Sequence, residues 1–348
     1  MPTPDTMMAV VKAAPGPGAE LRRVPVPDVG PSGVLIRVRT AAVCGTDLHI
    51  YNWDHWAESR VHPPLVFGHE FCGVVEKVGP EVSLVRPGDL VSAEMHVACG
   101  RCYQCRTGAS HICRHVRIIG VDADGCFAEF VRVPESNVWK VDPAINPDIA
   151  AVFDPLGNAV HAVLAGPVAA AGVAVIGCGP IGQFAVAVAR ACGASRIFAI
   201  EINERRLVVA CRMGADVLIN PAREDPVARV LEETAGSGAD VVLEMSGHTQ
   251  GVKNAFAMLR MGGQVTLLGI PTKPLEMDLA GDIIFRGATV AGINGRRVFQ
   301  TWYQMEALLK GGRLDITPAI TDRLPLAEFH KAMDLLRRGE GSKILLEP

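Results

Sequence analysis

"VAVIGCGPIGQFAVAVARA", residues 173–191, joins a run of branched apolar residues to a helix-length apolar stretch through Gly177, Gly179 and Gly182. The G-x-G-x-x-G spacing alone is a weak signal, because 36 of the 348 residues are glycine. Its context sharpens it. Strand texture precedes it, helix texture follows, and Glu201 closes the next apolar run nineteen positions after Gly182. Glycines so placed allow a tight turn and close approach of a pyrophosphate to a helix N-terminus. A carboxylate at Glu201 would accept from the adenosine ribose hydroxyls and repel a 2′-phosphate, so the stretch predicts NAD rather than NADP. Arg205 and Arg206 are near enough in sequence to soften that repulsion. A purely structural glycine turn is the competing reading.

Working outward, "GVAVIG", "RIFAIE", "ADVLIN", "ADVVLEMSG", "GQVTLLGI" and "ATVAGIN" are short apolar runs suited to buried parallel strands. Helix-length segments separate them, and three are expected to close at Gly193, Gly214 and Gly262 in the left-handed conformation. Six strands with intervening helices predict an α/β fold with a doubly wound parallel sheet, the Rossmann arrangement. The first 150 or so residues read instead as strands and turns, as in "GVLIRVRTAAV", "HEFCGVVEKVG" and "AEFVRVP". The tail from Gly295 is too short for a domain and is expected to pack on the first. The reading is therefore a discontinuous domain of residues 1–155 and 295–348 around a dinucleotide-binding domain of residues 156–294.

Composition narrows the class. The chain is 49% hydrophobic, with 34 Lys and Arg against 37 Asp and Glu, a net charge of −3. This gives no basic footprint for nucleic acid. The longest apolar run is interrupted by glycines and a proline and is too short to span a bilayer. No secretory signal is apparent near the N-terminus, so ten cysteines point to a reducing compartment, with the cytoplasm expected.

"CGRCYQCRTGASHIC", residues 99–113, gathers Cys99, Cys102, Cys105 and Cys113. Two-residue gaps let successive thiolates converge on one ion, and four thiolates complete the tetrahedral shell of a structural zinc site. Disulfides are the alternative, and this crowding matches bridge geometry poorly. Two further stretches, "AVCGTDLHI" and "FGHEFCGVVEKVG", offer Cys44 and His69 as a second pair of zinc ligands. Alone, each reads more naturally as a buried small residue and a hydrogen-bonded turn histidine.

Together, the pattern G-H-E-x-x-G-x-x-x-x-x-G from Gly68 to Gly79, both cysteine stretches and the glycine loop make the chain resemble the medium-chain, zinc-dependent alcohol dehydrogenases from end to end. The stretches "CGTDLHIYNWDHW", "FDPLGNAVHAVL", "LEMSG" and "GRRVFQTWYQMEALL" are most similar to members acting on L-threonine. The resemblance implies a strand-rich, GroES-like catalytic domain beside the Rossmann domain, a homotetramer, and two zinc ions per chain. It implies Cys44, His69 and Glu70 as catalytic-zinc ligands, with Asp154 the competing third ligand. Strand neighbours such as His69 and Glu70 point to opposite faces, so both reach one metal only if the backbone leaves strand geometry there. The resemblance places Thr46 and His49 in a proton relay that runs through the cofactor ribose, supported by Asp154. It places Ile181, Glu201, Arg206, Leu268, Gly269, Ile270, Ile293 and Asn294 around NAD. The implied reaction oxidises the secondary alcohol of L-threonine to 2-amino-3-oxobutanoate. The alternatives are another zinc-dependent dehydrogenase of the sorbitol or butanediol type, or a non-catalytic relative that keeps zinc and NAD.

Overall fold

In the computed structural model, which describes residues 3–271 and 273–348, strand Gly33–Ala42 exposes Arg37 and Arg39 and buries its other residues. A strand buried on both faces belongs at the centre of a sheet, and this one pairs with Phe71–Val78, Phe130–Pro134 and Lys343–Glu347. The sheet runs, in spatial order, Val138–Lys140, Leu90–Ala93, Phe71–Val78, Gly33–Ala42, Lys343–Glu347 and Ile320–Pro325, with Phe130–Pro134 also against the central strand. The last two strands come from the C-terminus, so the end of the chain completes a sheet begun near its start. Val34, Ile36, Phe67, Phe71, Phe127, Phe329 and Ile344 fill the core beside it. This unit comprises Met1–Asp154 and Ile320–Pro348.

Helix Gly45–Asn52 follows the central strand after a two-residue break, and His55–Arg60 follows that helix. The four-cysteine loop leaves and returns through the short antiparallel pair His96–Val97 and Arg117–Ile118.

The second unit, Pro155–Ala319, is built on a six-stranded parallel sheet. Its spatial order is Val217–Ile219, Arg196–Ile200, Gly172–Ile176, Ala239–Glu244, Leu259–Leu267 and Thr289–Gly292. Numbered along the chain this is 3-2-1-4-5-6, the doubly wound order. The six apolar runs fall on these six strands.

Two details differ from expectation. Gly193 and Gly214 follow their helices with φ of +91° and +106°, but helix Thr249–Ala257 stops short of Gly262. Gly262 has φ +73° inside strand Leu259–Leu267, where the register against Ala239–Glu244 shifts. A bulge, rather than a helix cap, uses its conformational freedom. Residues 295–319, including helix Gln300–Lys310, group with the second unit, and only Ile320–Pro348 groups with the first. His161 Nδ1 donates to Gly295 O at 2.8 Å and Arg296 donates to Asn158 at 3.1 Å, tying that segment to helix Phe153–Leu164. Among the described residues, no helix is long and apolar enough to cross a membrane.

Candidate active site

Cys44 is the N-cap of helix Gly45–Asn52, and Asp47 stands at the third helical position. The Asp47 carboxylate accepts from Cys44 N at 2.8 Å, the reciprocal half of a capping box. Its other oxygen faces His69 Nδ1 at 3.4 Å, and both atoms are buried without another hydrogen-bond partner. A single buried acid thereby fixes the thiol's backbone and flanks the imidazole.

Residues 67–70 belong to no strand, and Gly68 has φ +91°. A Cβ there would meet the Phe127 ring at 2.3 Å, so the backbone can turn in this way only as glycine. The turn removes the alternation that would send His69 and Glu70 to opposite sides. Donor atoms of Cys44, His69 and Glu70 lie within 4.8 Å of one another, and Asp154, although buried, stands outside that set. A thiol, an imidazole and a carboxyl gathered around one point are a donor set that suits zinc.

Glu70 has a second partner. Lys343 Nζ, from the C-terminal strand, donates to its two oxygens at 2.6 and 2.5 Å, and both side chains are fully buried. Burial holds the Glu70 carboxyl well above its ordinary value against the pull of Lys343, while Glu70 and Cys44 raise Lys343 against its burial. Burial also raises the Cys44 thiol, but His69 by charge and hydrogen bond, with help from Lys343, brings it down to about 7. His69 is lowered by burial, yet Asp47 and Cys44 hold it well above its usual value.

Thr46 and His49 are one turn apart on helix Gly45–Asn52 and so share a face. Cys44 Sγ is 3.9 Å from Thr46 Oγ1. His49 is largely exposed and donates through Nδ1 to Asp54, which caps helix His55–Arg60.

The cysteine loop brings Cys102 Sγ to 3.4 Å from Cys105 Sγ and 3.8 Å from Cys113 Sγ, and all four cysteines are unbridged. Their sulfurs lie within 4.8 Å of one another. Amides of Cys99 and His115 donate to Cys113 Sγ at 3.3 Å, and those of Cys105 and Arg114 bring the Cys102 thiol down to about 6. Backbone donors aimed at sulfur favour thiolates, the form that binds metal.

In the second unit, Gly177 has φ +86°, and a Cβ on it would meet Ser246 at 2.7 Å. A Cβ on Gly182 would lie 2.0 Å from Gly177 O, so turn and helix pack at backbone contact. Gly179, the N-cap of helix Pro180–Ala191, faces open space instead. That is the cradle a pyrophosphate needs, with Ile181 in the helix's first turn. Glu201 accepts from Cys178 N and Asn203 N, each at 3.0 Å, and Arg206 stands 3.8 Å away. One lone pair on each oxygen thus remains for a further donor. Ile293 N donates to Leu267 O at 2.9 Å, which sets the Ile293–Asn294 backbone beside the start of the Leu268–Ile270 turn.

Sequence reading missed Asp47 and Lys343. The three-residue spacing from Cys44 to Asp47 is a capping-box signal that could have found the first. Nothing local marks Lys343, whose partner is 273 positions away.

Residues 30–143 match the alcohol dehydrogenase GroES-like domain and residues 180–311 the zinc-binding dehydrogenase domain. An L-threonine 3-dehydrogenase of Bacillus licheniformis is 49% identical over 98% of this chain and 99% of its own. The alcohol dehydrogenase of Thermus sp. ATN1 superposes with a TM-score of 0.90 at 35% identity, covering 98% of this chain and 99% of that one. An Escherichia coli alcohol dehydrogenase complexed with NADH superposes with a TM-score of 0.91 at 26% identity, covering 99% of this chain and 100% of the other.

Proposed function

The chain belongs to the L-threonine 3-dehydrogenases among the zinc-binding alcohol dehydrogenases, and from that membership we propose how its own residues oxidise L-threonine with NAD. The observation that carries the reading is the gathering of Cys44, His69 and Glu70 beside Thr46. Zinc held there would lower the pKa of the substrate hydroxyl, and NAD held by the second unit would accept the hydride. Cys44 enters as a thiolate, and Asp47 at His69 Nδ1 leaves Nε2 for the metal. Glu70 is the third protein ligand, and Lys343 balances its charge. Asp154 supports the site from outside the ligand set.

Thr46 Oγ1 accepts the proton leaving the substrate hydroxyl as it gives up its own, and His49 delivers a proton to water. The exposure of His49 and its pairing with Asp54 support that role. The products are 2-amino-3-oxobutanoate, NADH and a proton. Glu201 sets the preference for NAD, with Ile181, Arg206, Leu268–Ile270, Ile293 and Asn294 completing the cofactor surface. Cys99, Cys102, Cys105 and Cys113 hold a second, structural zinc.

We place the enzyme in the cytoplasm as a homotetramer. The unbridged cysteines support the first assignment. Edge strand Thr289–Gly292, with Ile284, Phe285 and Val290 exposed around it, supports self-association.

NAD reduction with L-threonine, D-threonine, sorbitol, 2,3-butanediol and ethanol tests the substrate. A pocket matched to both an ammonium and a carboxylate rejects analogues lacking them by roughly 10⁴-fold. L-threonine is therefore expected to lead in kcat/KM by orders of magnitude. Comparable values on sorbitol would leave only a zinc-dependent secondary-alcohol dehydrogenase.

A further inference from the structure

Strand Ala239–Glu244 lies beside Gly172–Ile176 in the parallel sheet, with Glu244 in register with Ile176. Strand order reverses between these two, which is where open α/β sheets receive their ligands. At that point Glu244 ends its strand with a fully buried carboxylate. The carboxylate accepts from Ser246 N at 3.0 Å, from the Ser246 hydroxyl, and from Gly247 N at 3.1 Å. Its backbone carbonyl accepts from Leu268 N at 2.9 Å and Gly269 N at 3.0 Å. Among the described residues, no lysine, arginine or histidine pairs with it.

The knot leaves no room for adjustment. A Cβ on Gly247 would lie 2.5 Å from Ile270 O, and one on Gly269 would lie 2.1 Å from Gly247 N and 2.6 Å from Glu244 Oε2. Ser246 also closes under the glycine loop, since a Cβ on Gly177 would meet it at 2.7 Å. A buried carboxylate without a counter-cation is a costly way to tie a turn, because an uncharged side chain could tie it without desolvating a charge. Placement gives the reason for keeping it. Glu201, directly after strand Arg196–Ile200, marks the adenosine side of the central strand, and the glycine loop stands over that strand. A dinucleotide that crosses the loop continues onto the Glu244 side.

We propose that Glu244 is a positioning residue for the nicotinamide half of the cofactor, locking the Ser246–Gly247 turn to the Leu268–Ile270 turn so that their backbones form a fixed surface for that half. The inference rests on the NAD reading given above. Glu244 touches only protein and acts through these two turns.

Calorimetric titration of the zinc-loaded enzyme with NAD and, separately, with AMP tests it. AMP carries the adenosine half alone. Glu244→Gln turns an acceptor oxygen into an amide that faces donors, so NAD affinity should fall about tenfold or more while AMP affinity stays within about twofold. Ser246→Ala removes one donor and should cost NAD about threefold, again sparing AMP. Equal losses of NAD and AMP, or unchanged NAD binding, would show Glu244 to be structural only and overturn the proposal. Should the Gln variant not fold, Ser246→Ala decides by the same criterion. Wild-type enzyme that binds AMP but not NAD would overturn the cofactor reading itself, before any variant is made.

Discussion

Lys343 and Glu70 are each nearly inaccessible to water, and Lys343 supplies the positive charge that works against the burial driving the Glu70 carboxyl upward. Removing one member of such a pair leaves an uncompensated buried charge, which costs about 3–5 kcal/mol. Lys343→Met is therefore expected to lower stability by about that amount in enzyme stripped of zinc by a chelator. The loss should shrink when zinc is restored, because the metal supplies positive charge beside Glu70. Adding Glu70→Gln to Lys343→Met should recover most of the stability of the stripped protein while abolishing tight zinc binding at that site. Urea denaturation of the wild type, Lys343→Met and the double variant, with and without zinc, reads this directly. A stripped Lys343→Met variant as stable as the wild type would mean the pair carries no mutual dependence.

At the scale of elements, helix Gly45–Asn52 is a carrier of chemistry more than a core element, burying Asp47 and Ile50 among its eight residues. Its N-cap is the proposed ligand Cys44, and the helix itself carries Thr46 and His49. If those two move a proton without touching the metal, Thr46→Ala and His49→Ala should each lose most of their turnover while retaining full zinc content and wild-type melting. Loss of zinc from either, measured by metal analysis, would show instead that it belongs to the ligand sphere.

The neighbouring helix His55–Arg60 is clamped to residues 117–124 through Asp122. Asp122 accepts from Arg60 Nε at 2.8 Å, Arg60 Nη2 at 2.7 Å and Ile118 N at 2.8 Å. Burial raises the Asp122 carboxyl, but Arg60 and the Ile118 amide outweigh it and hold it below its ordinary value. A carboxyl depressed on folding gives stability that is present above its unfolded pKa and lost as pH falls through its folded value. The wild type should thus exceed Asp122→Asn by about 1 kcal/mol at pH 7 after solvent screening. The gap should close in acid, below the usual carboxylate range. A constant gap down to pH 2 would assign the difference to packing.

These elements also show what a sequence can disclose. The six parallel strands were legible because a strand buried on both faces must be a short unbroken apolar run, and glycines with positive φ punctuate the helices between them. The convergence of the four clustered cysteines was legible because two-residue gaps let them meet, and that of Cys44 and His69 through the resemblance of the stretches that hold them. Contacts made across long separations left no such trace. Lys343 reads as one more charged residue in "GSKILLEP", and the carboxylate of Glu244 as the end of an apolar strand. The helix Gln300–Lys310 was readable as a helix, but its apolar face does not say which unit it covers.

For the whole molecule, the two clusters proposed to hold zinc both lie in the unit of Met1–Asp154 and Ile320–Pro348, yet they are built independently. One is assembled from a helix N-cap, a turn at Gly68 and a C-terminal lysine. The other is a loop closed by its own two-stranded base. Independence predicts separable losses. Wild-type enzyme reconstituted with excess zinc and then desalted should carry two ions per chain. Cys44→Ser should carry one fewer, lose activity and keep its circular dichroism spectrum, because its cluster organises chemistry rather than chain path. Cys102→Ser should also carry one fewer, but its first effect should be on stability, since three thiolates cannot close a structural tetrahedral site and the loop has little core of its own. Its residual activity should track the fraction that remains folded, so limited proteolysis should cut the 99–113 loop well before the rest of the chain. A single zinc per wild-type chain after full reconstitution would refute the two-site reading. If Cys102→Ser instead lost turnover while its proteolysis pattern stayed that of the wild type, the loop would belong to the catalytic machinery and the division of labour between the two clusters would be wrong.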